Sequence, residues 1–598
     1  VRLERSSKPI AFDIEVIANE TACVGFANNP NNGICINFRD ATSNRYNVSE
    51  ELLLRGSIQQ LLRDPKNRFI AQNGSFDCGW LWYKDRIHVT KVWFDTLLAH
   101  HTLYPRMPHN LGYLTAQYTD HPYYKDEGKT WREGGNINDF WHYNIKDCCI
   151  TWAVHDALQR ELRAQDLEKF FFDHVMRLQP HLVQMQVGGI LADIKLKDTI
   201  SEELKGELDG KLRRFHTRVH NLTGDKDFSP NPKSPKQLGE LFFNYLGMVG
   251  RGSSTNKDNR ERMRNHVKTT PEQKLLLNQL DDYLIEHKFY STYATQKVDP
   301  DGRIRCEYKQ FGVQSAPGRL SSSKVMWGSG MNLQNQPHRA YPMFICDAGY
   351  MFSYFDLKQA EAKVVAYLWN VQGLIENFER AENEDGFDVH RGNAARIFKR
   401  DYDEIPASDW NSDNTPTERY LGKRCVHGLN YRMQAPKLAE VCKIPTQQGF
   451  EAYASYHRAF PEIQQAWEAI VKTVREERML FTPIGRRLIW LERLTEESFD
   501  SVIAFVPQST IGDKVSSVIY ECHEDDDWPS DARMVLNVHD ALIAIHRPDD
   551  ASTVQRLMKK HAEEPIMIRG QPVSIGTDLK ESKAGDDGVH RWSTLVEV

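Results

Sequence analysis

The chain has 598 residues, of which 40% are hydrophobic and 26% charged, and its formal net charge is −6. This length exceeds the size at which one hydrophobic core stops growing, so we expect several domains. No apolar run approaches the roughly 18 residues of a membrane span, and the first residues lack a signal-peptide segment. Ten cysteines without a CxxC pair indicate a reducing compartment and no structural zinc. We therefore expect a cytoplasmic protein that is neither membrane-bound nor secreted.

Acidic residues mark the first predicted strand. The apolar segment 8–16 carries Asp13 and Glu15 two positions apart. Successive residues of a strand alternate between its faces, so both carboxylates are predicted to share one face. Segments 21–27 and 33–40 follow as further strands of a meander.

Two later segments add acids at similar places. Segment 68–81 predicts a short apolar strand that leads into Asp77, and segment 143–158 predicts a helix. Tyr143 and Asp147 are four residues apart and lie on one face of that helix. Four acids and a tyrosine from three elements can therefore converge at one end of a mixed sheet.

This ordered set resembles the DEDDy 3′–5′ proofreading exonucleases. Such carboxylates form the cage of hard oxygens that two divalent ions about 3.5–4 Å apart require. The resemblance implies an RNase H-like mixed-sheet exonuclease domain at 1–165, with Asn73 and Phe76 contacting DNA. It implies a catalytic set in which the tyrosine orients water and the four acids bind metal: Asp13, Glu15, Asp77, Tyr143 and Asp147.

From residue 184 to the C-terminus, the chain resembles a family A DNA polymerase of the bacterial DNA polymerase I type. The helical passage ending at 184–193 resembles the opening of that domain. The resemblance implies an α/β multidomain chain in which a right-hand polymerase domain occupies 166–598. Its expected parts are a thumb at about 195–310, a palm at about 311–375 and 480–598, and fingers at about 376–479.

A local basic segment lies within the predicted thumb. Residues 251–268 hold six Lys/Arg and two acids, which gives a local charge of +4 despite the acidic net charge. Their Ser, Asn and Gly content predicts a mobile loop, and the resemblance places it where a thumb tip grips the duplex minor groove. A solvated helix-and-loop surface is the alternative.

Two segments resemble those that contact primer and template. Segment 315–323 contains Arg319, and segment 331–337 contains Asn332 and Gln334. The resemblance implies that these side chains donate to phosphates or to minor-groove acceptors, which all correct base pairs share. About a dozen residues, including a tryptophan, separate the two segments, whereas the family spacing is usually tighter.

Segment 350–368 predicts a strand followed by a helix, with Asp356 where the apolar character breaks. It resembles motif A of the family. The resemblance implies that Asp356 binds both metals and that the Leu357 carbonyl is a further ligand. It also implies that Glu361 packs beneath the incoming sugar and excludes a 2′-hydroxyl.

Segment 418–433 predicts a helix with a polar stripe. Four residues recur every four positions: Arg419, Lys423, His427 and Tyr431. The segment resembles motif B, which implies that the first two hold the triphosphate and that Lys423 protonates pyrophosphate. Tyr431 would lie near the templating base, and His390 is a further candidate triphosphate contact. His427 stands where the family has Phe or Tyr, and Arg432 stands where it has glycine.

Segment 535–546 is an aliphatic strand–turn–strand with His539 and Asp540 at its centre. An unpaired buried carboxylate costs several kcal/mol, so Asp540 needs a partner unless it only forms a turn. The segment resembles motif C, which implies that Asp540 is the second metal-bridging carboxylate and that His539 touches the primer terminus. Ala541 replaces the usual glutamate, and Gln508 resembles a minor-groove reader.

The sequence therefore predicts a template-directed DNA polymerase with 3′–5′ proofreading and two Mg²⁺ or Mn²⁺ ions per active site. The departures from the family motifs favour a phage-type enzyme. Expected partners are primer–template DNA, dNTPs and replisome proteins such as a helicase, primase or single-strand binding protein; a monomer is expected. One alternative is a 3′–5′ exonuclease whose degenerate polymerase half acts as a DNA clamp. Another is a non-enzymatic DNA-binding or scaffold protein, which leaves the well-placed acids unexplained.

Overall fold

The computed structural model describes residues 8–40, 42–89, 91–130 and 136–598, the side chains of 129 and 130 excepted. Its N-terminal strands are β1 (Ile10–Ile17), β2 (Glu20–Ala27), β3 (Gly33–Asn37), β4 (Phe69–Ala71) and β5 (Val92–Asp95). They form one sheet in the order β3-β2-β1-β4-β5, in which β1 runs antiparallel to β2 and parallel to β4. The sheet is therefore mixed, as predicted for an RNase H-like fold.

Helices accompany this sheet: α1 (Val48–Arg63), α2 (Gly74–Asp85), α3 (Thr96–Leu103), α4 (Leu111–Tyr118), α5 (Glu127–Thr130) and α6 (Ile137–Ala164). The predicted helix around 143–158 is confirmed as part of α6, which packs against β1, β2 and β3. Gly25 of β2 permits this approach, because a Cβ there would lie 2.3 Å from Asn144. Asn144 in turn donates to the Asp13 carboxylate at 2.8 Å. Close packing of α6 thus places its polar face beside β1.

A connecting segment joins this part to the rest: α7 (Glu168–Phe170), a π-helical turn (Phe171–Val175) and α8 (Met176–Gly188). His174 Nε2 lies 3.0 Å from Asp513 Oδ1, and Arg486 Nη2 lies 2.7 Å from the same atom. Asp513 is fully buried. Since breaking a buried ion pair is strongly destabilising, this network fixes the connection against the C-terminal part.

A second contact between the two parts comes from the long spacer between the predicted primer and template segments. Trp327 stacks on Tyr83 of α2, with ring centroids 4.1 Å apart and planes 10° apart. The Arg305 guanidinium lies 4.8 Å from the centre of the same Tyr83 ring. The additional residues noticed in the sequence therefore reach the N-terminal part.

A helical subdomain follows: α9 (Ile194–Thr223), α10 (Pro235–Gly239), α11 (Lys257–Asn265) and α12 (Pro271–Phe289), with π-helical turns at Glu240–Tyr245 and Tyr290–Ala294. Phe215 and Val219 of α9 share a core with Leu276 and Leu280 of α12. The spacing of four residues in each helix keeps these side chains on one face.

The prediction of a mobile loop at 251–268 is wrong for 257–265, which form α11. Asn256 caps this helix by accepting the Asn259 N–H at 2.9 Å. Arg260 and Arg264 both bind Asp281 of α12. The polar residues that suggested a loop therefore cap a helix, and two of the basic residues hold it in place.

The strands of the C-terminal part are β6 (Ile190–Ala192), β7 (Arg303–Ile304), β8 (Glu307–Lys309), β9 (Ser321–Ser323), β10 (Phe344–Ile345), β11 (Met351–Leu357), β12 (Met479–Phe481), β13 (Arg487–Ile489), β14 (Arg533–Val538), β15 (Ala541–His546), β16 (Ile566–Ile568), β17 (Gln571–Val573), β18 (Thr577–Ala584) and β19 (His590–Glu597). Eight of them form one sheet in the order β14-β15-β11-β18-β19-β10-β6-β7. The predicted strand–turn–strand is confirmed as the antiparallel pair β14–β15. His539, in its two-residue turn, has a φ of 56°, as tight hairpin turns favour.

Helices complete this part: α13 (Ala360–Leu368), α14 (Gln372–Asn383), α15 (Val389–Phe398), α16 (Glu418–Leu429), α17 (Ala435–Cys442), α18 (Thr446–Ala459), α19 (Glu462–Glu477), α20 (Glu496–Glu524) and α21 (Ala551–Glu563), with 3₁₀ turns at His338–Met343, Tyr402–Glu404 and Pro548–Asp550. Helices from α13 to α19 contribute to one core that is separate from that of the large sheet. Among the described residues, no helix combines the length and apolar character needed to cross a membrane.

Candidate active sites

Four acidic side chains meet where β1 adjoins α2 and α6. Oxygen atoms of Asp13, Glu15 and Asp147 all lie within 4.8 Å of one another. Asp77, in the first turn of α2, accepts the N–H of Ile14 at 3.0 Å and is thereby tied to β1. The structure thus brings together all four acids that the sequence analysis singled out.

Burial raises the pKa of three of these carboxyl groups, and the charges of neighbouring acids add to the effect for Asp13 and Asp77. For Asp13 burial is the largest cause, followed by the charges of Asp77 and Asp147. Burial likewise raises the pKa of Asp147, and it raises the pKa of Asp77 to about 7. Several hard carboxylate oxygens crowded in this way fit a divalent cation, whose charge favours their ionised form.

Two residues that the sequence analysis missed contact Asp147. Lys125 Nζ lies 2.8 Å from each Asp147 carboxylate oxygen and 2.6 Å from the Tyr143 hydroxyl. The Tyr124 hydroxyl donates to Asp147 Oδ1. The segment before α5 carries no periodic pattern that could have revealed them. Gly128 of α5 packs on Tyr143 so closely that a Cβ would lie 2.9 Å from its ring.

The two predicted DNA contacts of this part lie at the start of α2. Asn73 has a φ of 61°, and its N–H donates to Asp95 Oδ1 at 3.1 Å. Phe76 is partly exposed and stacks on Trp80 with centroids 6.1 Å apart. Both residues therefore lie within one helical turn of Asp77.

A second pair of acids lies at the end of β11 and in the β14–β15 turn. Asp356 pairs in register with Ala541, so Asp540 is its diagonal neighbour. The N–H of Leu357 donates to the Asp540 carbonyl at 3.4 Å. Asp356 and Asp540 both line a cavity of about 370 Å³.

This cavity lies between the sheet and α16. Six further predicted site residues line it: Leu357, Glu361, His390, Lys423, His427 and Tyr431. Burial is the main cause that raises the pKa of Asp540, and the charge of Glu361 adds to it. Burial also raises the pKa of Asp356, with a contribution from Asp578, which pairs with it across β18 and which the sequence analysis missed. The carboxylates of Asp356 and Asp540, which face one cavity, suit a divalent cation.

The predicted DNA contact Arg319 binds an acid of this cavity. Its guanidinium forms an ion pair with Glu361 and lies 4.0 Å from an Asp540 carboxylate oxygen. The charge of Arg319 lowers the pKa of Asp540, against the stronger effect of burial. Arg319 therefore compensates part of the negative charge of this site.

The stripe on α16 divides into two parts. Lys423 and His427 line the cavity, whereas Arg419 is not among its lining residues. Arg419 instead binds Asp388 at 2.7 Å and also Asp409. Lys423 Nζ lies 3.8 Å from Asp409. The sequence analysis missed both aspartates, because only the folded chain brings them to α16.

The predicted helical stripe is wrong at its C-terminal end. Helix α16 ends at Leu429, and Tyr431 lies beyond it, although it still lines the cavity. Arg432 has a φ of 64°, in the left-handed region that favours glycine. Its guanidinium lies 3.1 Å from Asp500 and 3.4 Å from Glu496. This backbone conformation explains why a glycine suits the position.

His390 faces the cavity as an uncharged group. Burial lowers its pKa to about 4, so the imidazole is neutral at neutral pH. Within the described part of the chain, its buried Nδ1 has no hydrogen-bond partner. His390 can thus offer a hydrogen bond to a ligand but not a positive charge.

A second cavity, of about 240 Å³, collects most of the other predicted DNA contacts: Arg319, Asn332, Gln334 and His539. Gln334 is buried and donates to the Asn537 side chain at 2.8 Å. Gln508, on α20, is partly buried and is not among the residues that line either cavity.

Comparisons with known proteins agree with this arrangement. Residues 198–580 match the family model described as DNA polymerase family A, and residues 2–163 match the one described as 3′-5′ exonuclease. A solved structure, the POL domain of Pol1 from M. smegmatis in complex with DNA primer-template and dNTP, superimposes with a TM-score of 0.75 at 21% identity, over 99% of this chain and 96% of that one. The predicted order of an exonuclease fold followed by a polymerase fold is thereby confirmed.

Two curated relatives are bacterial DNA polymerases I. DNA polymerase I of Pseudomonas aeruginosa is 26% identical over 535 residues, which cover 84% of this chain and 55% of that protein. DNA polymerase I of Bacillus caldotenax is 25% identical over 450 residues, which cover 71% and 47%. The chain thus spans about half the length of these relatives. Because the polymerase match extends over most of the residues, the chain belongs to DNA polymerase family A.

Proposed function

We propose that the chain is a template-directed DNA polymerase that adds dNTPs to a primer 3′ end and proofreads with a 3′–5′ exonuclease. One observation carries this proposal: Asp356 and Asp540 line the same cavity as Lys423 and His427. Carboxylates that hold divalent ions, beside a lysine and a ring, are the groups that nucleotidyl transfer requires. The family match supports the same conclusion.

In the polymerase cavity, Asp356, Asp540 and the Leu357 carbonyl would hold two Mg²⁺ or Mn²⁺ ions. When bound, the ions supply charge neutralisation and an activated primer hydroxyl. Lys423 would bind the triphosphate and give a proton to pyrophosphate. Glu361 would exclude a 2′-hydroxyl by its bulk.

The remaining groups would position nucleotide and DNA. His427 would stack on the incoming sugar, Tyr431 would lie near the templating base, and His390 and Arg419 would contact the triphosphate. Arg419 must first exchange one of its two aspartate partners. The second cavity would hold the primer end through four side chains, with a fifth on the neighbouring helix: Arg319, Asn332, Gln334, His539 and Gln508.

In the N-terminal site, four carboxylates would hold two divalent ions: Asp13, Glu15, Asp77 and Asp147. Tyr143 would orient the water that attacks the terminal phosphodiester, and Asn73 and Phe76 would contact the strand end. The contacts of Asp147 with its neighbours support this assignment, because they fix this acid beside the other ligands.

We further propose the division into an exonuclease domain, 1–165, and a polymerase domain, 166–598. Its thumb would cover about 195–310, its palm about 311–375 and 480–598, and its fingers about 376–479; the helical subdomain and the separate helical core support this division. A monomer that acts in the cytoplasm on primer–template DNA, alongside replisome proteins, fits these sites.

A gel assay on a 5′-labelled primer–template with Mg²⁺ tests both activities. Extension with dNTPs and stepwise shortening without them are expected. Asp540→Ala should abolish extension alone, and Asp13→Ala should abolish shortening alone. Asp549→Ala, which removes an exposed acid just beyond the same hairpin, is the matched control and should leave both activities intact.

One departure from the family pattern favours a second candidate, a 3′–5′ exonuclease with a DNA-clamping polymerase half. Ala541 stands opposite Asp356, where the family has a glutamate. Shortening in both lanes, unchanged by Asp540→Ala, would establish this candidate. In that case Asp540 would be a turn residue without a catalytic role.

A further inference from the structure

Lys125 binds both carboxylate oxygens of Asp147, the acid of the third exonuclease motif. Its ammonium lies 2.8 Å from Asp147 Oδ1 and 2.8 Å from Oδ2. It also donates to the Tyr143 hydroxyl at 2.6 Å. One cation therefore joins the acid and the tyrosine of the third motif.

The position of Lys125 is built into the fold. Its side chain is 24% exposed, and that of Asp147 is 6% exposed. Its ammonium lies 5.3 Å from the Tyr124 ring centre and 4.7 Å from that of Tyr143. Lys125 is therefore enclosed by the acid and two aromatic rings, unlike a surface lysine in a solvated ion pair.

The Lys125 ammonium and a divalent ion would bind the same carboxylate oxygens of Asp147. Asp147 belongs to the group of acids whose oxygens lie within 4.8 Å of one another. Lys125 reaches both oxygens of that acid, so an ion that binds Asp147 must share them with the ammonium or displace it. The ammonium also accepts no hydrogen bond itself, so it leaves the hydroxyl proton of Tyr143 free to point away from Lys125.

We propose that Lys125 is a positioning residue of the exonuclease site: it competes with the divalent ion for Asp147 and holds the Tyr143 hydroxyl in its working orientation. This inference rests on the proposed exonuclease function. It assigns to Lys125 two measurable effects of opposite sign, weaker ion binding and faster hydrolysis. A lysine that merely stabilised the fold would produce neither.

Ion binding is measured first, without any reaction. Mn²⁺ titration of the full chain by electron paramagnetic resonance, in an Asp540→Ala background, reports the exonuclease site, and Asp13→Ala identifies its signal. Lys125→Met should bind Mn²⁺ severalfold more tightly, because the competing charge is gone. Lys169→Met, which removes a charge from an exposed ion pair with Asp173, is the matched control. Unchanged or weaker Mn²⁺ binding by Lys125→Met would overturn the proposal.

Hydrolysis of single-stranded DNA at saturating Mg²⁺ is the second readout. Lys125→Met should lower kcat about tenfold, the scale of groups that orient a metal site, with KM unchanged. Lys125→Arg should restore part of kcat, and adding Tyr143→Phe to Lys125→Met should cost little more. A change in KM alone would make Lys125 a DNA contact and refute the positioning role.

The two readouts separate the proposals. If the unaltered chain degrades no DNA but Lys125→Met still binds Mn²⁺ more tightly, the exonuclease assignment fails and the competition at Asp147 stands. If DNA is degraded and both readouts are unaffected by Lys125→Met, the exonuclease stands and the role of Lys125 is wrong.

Discussion

Arg319 and Glu361 form an ion pair that joins the two cavities of the polymerase part. Arg319 lines the cavity that collects the predicted primer contacts, and Glu361 lines the one that contains Asp356 and Asp540. The pair stands at the place where a primer terminus and an incoming nucleotide would meet. A ligand that binds in one cavity can therefore affect, through this ion pair, the side chain that lines the other cavity.

Glu361→Ala is expected to admit ribonucleotides. Removal of the side chain opens space beneath the sugar, and a pocket of altered size changes discrimination by about tenfold or more. The measurement is the ratio of kcat/KM for a dNTP and for the matching ribonucleotide. Glu361→Gln keeps the bulk and loses only the charge, so it is the control. Equal ratios in Glu361→Ala and the unaltered chain would refute steric exclusion by Glu361.

Asp409→Asn is expected to lower KM for dNTPs severalfold. Asp409 binds Arg419 and lies 3.8 Å from Lys423, so its charge opposes that of an incoming triphosphate. Steady-state extension kinetics measure the effect. Asp413→Asn, in the same connection but bonded to Thr415, should leave KM unchanged. An unchanged KM in Asp409→Asn would show that this aspartate does not compete with substrate.

His427→Phe is expected to change the use of chain-terminating nucleotides. The imidazole can stack and also hydrogen-bond a nucleotide, whereas the phenyl ring can only stack. The variant should therefore discriminate more strongly against ddNTPs. Titration of ddNTP against dNTP on both proteins tests this, and identical ratios would contradict a hydrogen bond from His427.

Asp95 is expected to make the exonuclease fold less stable as pH rises. Burial raises its pKa to about 6, although it accepts backbone N–H groups of Gly74 and Leu97. The pKa of Asp95 is higher in the folded protein than in the unfolded chain, so proton binding to Asp95 stabilises the fold. This contribution to the free energy of unfolding is complete below about pH 4 and is lost as pH rises through about 6. Its size is about 3 kcal/mol. Asp95→Asn cannot ionise and still caps α3, so it should lack this loss.

Hydrogen exchange of peptides from 69–103, compared between Asp95→Asn and the unaltered chain at about pH 5 and about pH 7.5, measures this difference. The variant should gain protection relative to the unaltered chain only at the higher pH. Asp40→Asn is the control, because backbone hydrogen bonds from Thr42 and Ser43 lower the pKa of Asp40 to about 2 and it stays ionised throughout. Equal protection of Asp95→Asn and the unaltered chain at both pH values would show that the pKa of Asp95 is not raised.

Trp327→Ala is expected to weaken the contact between the exonuclease and polymerase parts. Stacked aromatic pairs contribute about 0.5–1.5 kcal/mol beyond their buried area. A double-mutant cycle with Tyr83→Ala, read from thermal unfolding, should return a coupling energy of that size. Additive single effects would mean that the stack seen between Trp327 and Tyr83 contributes nothing.

Short-range patterns in the sequence predicted much of this protein. The alternation in β1, the helical spacing in α6 and the hairpin around His539 and Asp540 follow from local periodicity and turn chemistry, and the structure confirms these elements. The family was predicted from the order of the motifs, and the comparison confirms it. The acids that were predicted to converge do so, because α2 and α6 pack against β1 and bring Asp77 and Asp147 to its carboxylates.

Tertiary structure alone decided which charges compensate one another. Lys125 meets Asp147 from 22 positions away, and Arg319 meets Glu361 from 42 positions away. The end of α16 before Tyr431 and the ordering of α11 also depended on packing and capping. Local sequence sets propensity and periodicity, but a charge finds its partner only when the backbone has folded, since electrostatic attraction acts through space and not along the chain.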